Sequence, residues 1–387
     1  MDEIRFQKLA YHGGIVMKIK KTDENIIWTN PKPILRSRHS CFPFACELDD
    51  KTILASHVIG EAFESVDGTT RLSISLDKGR TWELKPVFYD KSDYPVPTTD
   101  SMKPTNIGNG NLLLFGYEFF RDNPEYTLGN PETGGLLDSR LILLRSSDAG
   151  KNWSSAEEIS CIWGRHVEAS APLLVLKNKD WVTPITEFSK WDGSHSVPLC
   201  SRLLRSNDQG RTWQDDTVIM QMGDNITMFE QRICQLEKSG NIVVIAWNED
   251  LATGERFNNH YAISKDNGKT FEGPFDTGVR AQSSSVCAIG GDRLLALHSK
   301  RRDTDAPGVY ACIVNLEKGE WDIETEELIW KPSFSMTKDT GMADIFAYCK
   351  FGQPGAIRLS DGTILTTHWI IECGQGKTIA MKLEIEP

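Results

Sequence analysis

The chain has 387 residues, a formal net charge of −11 at pH 7 and an ordinary charged fraction of 25%. An acidic surplus argues against a nucleic-acid partner, because a phosphate-binding surface needs an excess of Lys and Arg. No run of eighteen apolar residues occurs, which argues against a membrane span. The nine cysteines are scattered, and no Cys/His spacing suits a metal, so neither a metal nor a cofactor is expected. Cys46, Cys234, Cys287 and Cys312 lie in apolar runs and read as small buried hydrophobes of a reducing compartment. The first residues carry no signal-like apolar stretch, so the expected location is cytoplasmic.

In chain order, an apolar run at 15–19 comes first and has no hairpin of its own. A strand–turn–strand signal follows at 47–54, with Asp49 and Asp50 in the turn. The same signal returns at 106–113, 176–182, 236–243, 289–295 and 359–365. After each of the first four comes a second motif, Ser-x-Asp-x-Gly-x-Thr-Trp. Its copies are Ser75/Asp77/Gly79/Thr81/Trp82, Ser146/Asp148/Gly150/Asn152/Trp153, Ser206/Asp208/Gly210/Thr212/Trp213 and Ser264/Asp266/Gly268/Thr270/Phe271. A degraded copy stands at 315–321. The Asp accepts hydrogen bonds from the turn's own backbone, the Gly supplies a positive φ, and the aromatic is an apolar anchor. These Asp residues are therefore read as holding turns, with no part in chemistry.

The Asp residues of the motif lie 71, 60 and 58 positions apart, and that period divides the chain into six. Six hairpins make six blades of one ring spanning 1–387. The run at 15–19 is expected to pair with the last blade and close it. The longest irregular stretches, 86–101, 121–138 and 331–343, read as surface loops. The repeated motif is that of the Asp-box, or BNR repeat, and the chain resembles the sialidase-like superfamily. That resemblance implies an all-β fold: a six-bladed β-propeller of four-stranded antiparallel blades.

The hairpins and the Asp-boxes fall on one face of such a ring. In the sialidase-like family the opposite face is the active one. Residues just before a first strand or just after a second strand are therefore the candidates for chemistry. That filter passes Arg38, His39 and Glu61 in the first blade, and His166 and Glu187 in the third. It passes Glu230, Arg232, Trp247 and Asn248 in the fourth, and His298 and Arg301 in the fifth. In the sixth it passes Asp344, Gln353 and His368. It also passes Lys103, Tyr117 and Glu168, to which no role is assigned. His, carboxylate, Arg and Trp around one axis suit a polyhydroxylated ligand, since Trp stacks on sugar faces and charged groups bind hydroxyls.

The resemblance also implies roles. Cys41, before Phe42-Pro43, stands where the family has the first Arg of its carboxylate clamp. Asp67 matches the loop of the family's acid/base, with Glu61 and Glu64 as rivals. Glu230 matches the Glu that partners the nucleophile. Trp247-Asn248 replaces the second Arg, and Arg301 or Arg302 fits the third. The nucleophilic Tyr is expected near 353–356, and the nearest is Tyr348. The expected function is a carbohydrate-active enzyme, a glycoside hydrolase using paired carboxylates, with Asp67, Glu230, Glu187 and Tyr348 as catalytic candidates. With the clamp incomplete, it is not expected to be a true sialidase. The alternatives are a non-catalytic glycan-binding propeller and a protein-interaction scaffold. The partner is a small glycan or sugar derivative. The oligomeric state, the sugar and the linkage are left open.

Overall fold

A computed structural model of the chain describes residues 17–92, 94–302, 304–333 and 350–386. Among the described residues there is no helix, and the strands form six antiparallel sheets. Strand β1 (Lys18–Trp28) belongs to the last sheet. The first blade is β2 (His39–Glu47), β3 (Ile53–Gly60), β4 (Thr69–Ser75) and β5 (Glu83–Leu84). The second is β6 (Thr98–Gly108), β7 (Asn111–Phe120), β8 (Ser139–Ser146) and β9 (Glu157–Ile159). The third has a split inner strand, β10 (Val167–Glu168) and β11 (Leu174–Val175), then β12 (Trp181–Glu187), β13 (Ser201–Ser206) and β14 (Gln214–Met220). The fourth is β15 (Phe229–Gln235), β16 (Ile242–Trp247), β17 (His260–Ser264) and β18 (Glu272–Asp276). The fifth is β19 (Ser284–Gly290), β20 (Arg293–Lys300), β21 (Gly308–Asn315) and β22 (Asp322–Trp330). The sixth is β23 (Phe351–Arg358), β24 (Ile364–Glu372) and β25 (Gln375–Glu386), with β1 as its outer strand.

Strand β1 pairs antiparallel with β25 from Lys18↔Glu386 to Trp28↔Thr378. The first and last segments of the chain thus share one blade, which leaves no open edge at that junction. The expected run at 15–19 overlaps β1 only at its end, and residues 15 and 16 lie outside the described residues. Of the expected loops, residues 98–101 prove to be the start of β6. Residues 334–343 lie outside the described residues.

The core is six apolar seams, one between each pair of neighbouring blades. This explains why the second strands are rich in apolar residues, with β16, Ile242-Val243-Val244-Ile245-Ala246-Trp247, apolar at every position. They are covered on both faces, so the usual in–out alternation disappears.

The four Ser-x-Asp turns share one hydrogen-bond pattern. Asp77 Oδ1 accepts from the Ser75 hydroxyl at 2.8 Å and from the Thr81 amide at 2.8 Å. Its Oδ2 accepts from the Thr81 hydroxyl at 2.7 Å. Asp148, Asp208 and Asp266 do the same. The Gly has the expected positive φ, and so does the non-Gly residue before it: Lys78, Ala149, Gln209 and Asn267 lie at 60°, 59°, 63° and 60°. The converging hydrogen bonds offset the cost of that second left-handed residue. Two of the turns also bond the hairpin of their own blade, with Lys78 N–H donating to the Lys51 carbonyl (2.9 Å) and Ala149 N–H to the Gly110 carbonyl (2.8 Å). Hairpins and boxes therefore share a face.

The aromatic of each box enters the seam with the preceding blade. Trp82 meets Ile27, Ile53 and Leu365 of the first and last blades. Trp153 reaches the seam between the first and second blades, and Trp213 that between the second and third. The rings are half-buried, less enclosed than their motif suggests. Trp82→Ala is accordingly expected to cost about 2 kcal/mol, below the range for a fully enclosed ring. A urea melt showing a loss under about 1 kcal/mol would remove the anchor role.

Candidate active site

Three inner strands break register at the end opposite the hairpins. The breaks lie between Cys41 and Phe44 in β2, Phe229 and Arg232 in β15, and Gly352 and Gly355 in β23. At each break a non-glycine residue takes a positive φ: Phe42 at 56°, Glu230 at 46° and Gln353 at 42°. A bulge re-aims its side chain, and a left-handed non-glycine residue costs about 1–3 kcal/mol. Three such sites on one face of one ring mark that face as built for something other than stability.

The re-aimed groups meet at the axis. Glu230 Oε2 accepts from Trp247 Nε1 at 2.8 Å, and its Oε1 accepts from the Gln353 side-chain amide of the sixth blade. The Glu230 backbone N–H donates to both oxygens of Glu168, at 3.0 and 3.2 Å. Glu168 also accepts from the Ser170 hydroxyl, which in turn lies within hydrogen-bond reach of Tyr117. Arg232 is 2% exposed; its charge faces Glu230, Glu168 and Tyr117, and its Nη1 donates to the Gln231 carbonyl at 2.9 Å. Lys103, also 2% exposed, donates to the Phe42 carbonyl at 2.7 Å and to Ser101 Oγ at 3.1 Å. Four blades thus supply two carboxylates, two cations, a phenol and an amide to one cluster.

Burial tunes these groups apart. It pushes Glu168 up to about 7, against the Ser170 hydrogen bond and with help from the Glu230 charge. Burial and the Arg232 charge push Lys103 down to about 7, against the pull of Glu230. The Tyr117 phenol is raised by burial and by both carboxylates, so it is held protonated.

Of the residues singled out in the sequence, Glu230, Arg232, Trp247 and Gln353 come together here. Arg301 lies beside β23, where its Nη1 donates to the Phe351 carbonyl at 2.7 Å. Asp67 sits apart in an ion pair with Arg38 and accepts the Glu61 amide at 2.9 Å. Burial raises its carboxyl, but hydrogen bonds from Ser65, Glu61 and Arg38 outweigh that and hold it below its ordinary value. Such a carboxyl is a poor proton donor at neutral pH. Glu61 lies 3.8 Å from Arg38 in the same exposed network, and His39 Nδ1 accepts the Gly376 amide at 3.0 Å. Glu187 is buried with both oxygens on the Ser196 amide, each at 3.1 Å, so it pins the loop after β12. Asn248 is buried against the Thr227 carbonyl at 2.7 Å. His166, just before the inner strand of the third blade, lies 3.8 Å from Asp138. His298 and His368 are wholly enclosed, and burial pushes each down to about 3, leaving them neutral. His298 bonds Ser284 Oγ at 2.7 Å, and His368 packs edge-on against Trp330. Tyr348 and Asp344 lie outside the described residues.

No protein-family model and no curated protein matches the chain. Solved structures do. A protein of unknown function from Dyadobacter fermentans DSM 18053 superposes with a TM-score of 0.74 at 18% identity, over 95% of this chain and 99% of that one. The Hadza microbial sialidase Hz136 gives 0.62 at 15% identity, over 89% of this chain and 65% of its own. Trypanosoma rangeli sialidase in complex with the inhibitor DANA gives 0.59 at 13% identity, over 89% and 55%. The fold is the sialidase-like six-bladed β-propeller. The chain spans little more than half to two thirds of those sialidases, and the identities carry the fold alone.

Within this sialidase-like propeller the motif-based reading passed over Glu168, Lys103 and Tyr117. All three met the positional filter at strand ends, but no motif distinguished them. Lys103 sits in a largely polar stretch of β6, so nothing local marked its burial among acceptors. The guanidinium that the fourth blade brings to the cluster is Arg232, from its first strand.

Proposed function

We propose that this propeller is a glycoside hydrolase whose proton-donating and anionic carboxyls are Glu168 and Glu230. The observation that carries the reading is the pairing of these two carboxyls at the axis in contrasting surroundings. One is buried and raised to about 7, while the other accepts two N–H donors beside Arg232. Two carboxyls held in different environments are the basis of acid–base glycoside cleavage. Glu168 is 3% exposed, so its proton travels through the Ser170 hydroxyl to Tyr117, which is less buried than Glu168. As the glycosidic C–O bond breaks, the leaving oxygen takes the Tyr117 proton and the relay refills it from Glu168. Glu230 faces the positive charge that develops on the sugar ring and takes the proton of the attacking water.

The sugar in this reading is not a sialoside. Arg232 is 2% exposed and offers no open fork to a ligand carboxylate. Lys103 and Arg301 each donate to a backbone carbonyl of an inner strand. A panel of aryl glycosides tests this: the expected result is release from a non-sialyl glycoside and negligible turnover of the aryl sialoside. Robust release of sialic acid would overturn the choice of sugar. A panel with no substrate at all would overturn the hydrolase reading.

A further inference from the structure

Two loops on the axial face are stitched into a single rigid ledge. One joins β7 to β8 and the other joins β12 to β13. The Trp191 carbonyl accepts from Asn130 Nδ2 at 2.9 Å and Thr133 Oγ1 at 2.7 Å, and the Leu136 amide donates to the Ser189 carbonyl at 2.9 Å. The loops approach so closely at Gly135 that a Cβ there would stand 1.8 Å from the Lys190 carbonyl oxygen. Arg121, only 2% exposed, clamps the ledge from below. It donates to the Tyr126 carbonyl at 3.0 Å and to the Glu64 carbonyl at 3.1 Å, while the Glu64 carboxylate accepts the Leu128 amide at 3.2 Å.

On this ledge Tyr126 lies flat on Trp191, with ring centroids 5.1 Å apart and planes only 10° from parallel. Tyr126 is nevertheless 46% exposed, so the ring face turned away from Trp191 is presented to solvent. The residues near these two rings in the chain, Asn123, Glu125 and Asp192, are polar and at least partly exposed. From Trp191 packed aromatic side chains lead inward. Trp191 packs in one cluster with Phe188 and Phe229, Phe229 lies 5.1 Å from Trp247, and Trp247 holds Glu230.

We infer that the Tyr126–Trp191 stack is an outer sugar subsite, so that the substrate is an oligosaccharide reaching from the ledge to Glu230. This inference rests on the hydrolase reading for its inner end only. A flat ring one residue wide, with hydrogen-bonding side chains near it in the chain, matches the C–H face of a single pyranose and its hydroxyl rim. The platform is held by backbone and buried Arg contacts before any ligand arrives, so little ordering entropy opposes binding.

The test separates binding from turnover. The Glu230→Gln protein is applied to an array of several hundred glycans, alone and with Tyr126→Ala or Tyr126→Phe added. The expected result is selective retention of at least one oligosaccharide over its constituent monosaccharides. Tyr126→Ala should weaken it by about 5–10-fold, the worth of one aromatic stack, and Tyr126→Phe should retain it. An array without any bound oligosaccharide, or equal binding by the Tyr126→Ala form, overturns the subsite. A wild-type protein that binds the same glycan without cleaving it would overturn the hydrolase reading and leave the subsite standing.

Discussion

Glu230→Gln is expected to lower kcat/KM on the cleaved glycoside by about 10² or more, in the range for a positioned acid–base group. The substitution keeps the side-chain shape and removes the charge. It does not keep every hydrogen bond. Trp247 Nε1 and the Gln353 amide each donate to a Glu230 oxygen, and a Gln at 230 has one oxygen for two donors. One donor must turn away, at a cost of about 1 kcal/mol. The backbone is unaffected, since the left-handed φ at 230 and its N–H bond to Glu168 do not depend on the carboxylate. The predicted signature is therefore a large kinetic loss with a small fall in Tm. A protein that melts early yet keeps its activity when folded would assign Glu230 to the strand start alone.

The scaffold was legible in the sequence because the same chemistry is written into it repeatedly. The stretch from Ser206 to Thr212 closes on itself through five bonds that no distant residue is needed to complete. Hairpins such as that between β16 and its neighbour β15 are equally local. The axial cluster is of another kind. The bond from Gln353 to Glu230 spans 123 positions, and the Glu230–Glu168 contact spans 62. Such contacts exist only once the ring is closed. Period two from Glu230 did place Arg232 in the same cluster, but it gave no hint that a bulge intervenes. Nor did it show that Glu168 receives the Glu230 amide. The equal weight first given to Asp67 and Glu187 has the same origin. Nothing local reveals that one meets Arg38 and the other the Ser196 amide.

Glu168→Gln is expected to do two opposite things. It should remove the proton donor, lowering kcat/KM by about 10², and it should remove the alkaline limb of the pH profile. In the wild type kcat/KM should be level on the acid side of the Glu168 transition and fall as pH rises through about 7, because only protonated Glu168 supplies the relay. Stability should move the other way. Glu168 titrates at about 7 in the folded state against 4.5 as the ordinary value. A raised acid binds more protons when folded, so the stability it favours is fully present below about 4.5 and is lost between there and about 7. The loss amounts to at most about 3 kcal/mol, the free-energy equivalent of that shift. A Gln at 168 carries no charge to bury and still offers a carbonyl to the Glu230 amide. At pH 8 the variant should therefore be as stable as the wild type or more so, and its stability should lose the slope between pH 4.5 and 7. Denaturant melts at pH 4.5 and pH 8, set beside pH–rate profiles, read both effects. A variant that is less stable at pH 8 and keeps the wild-type alkaline limb would show that Glu168 is a brace for the Glu230 bulge and not the source of the proton.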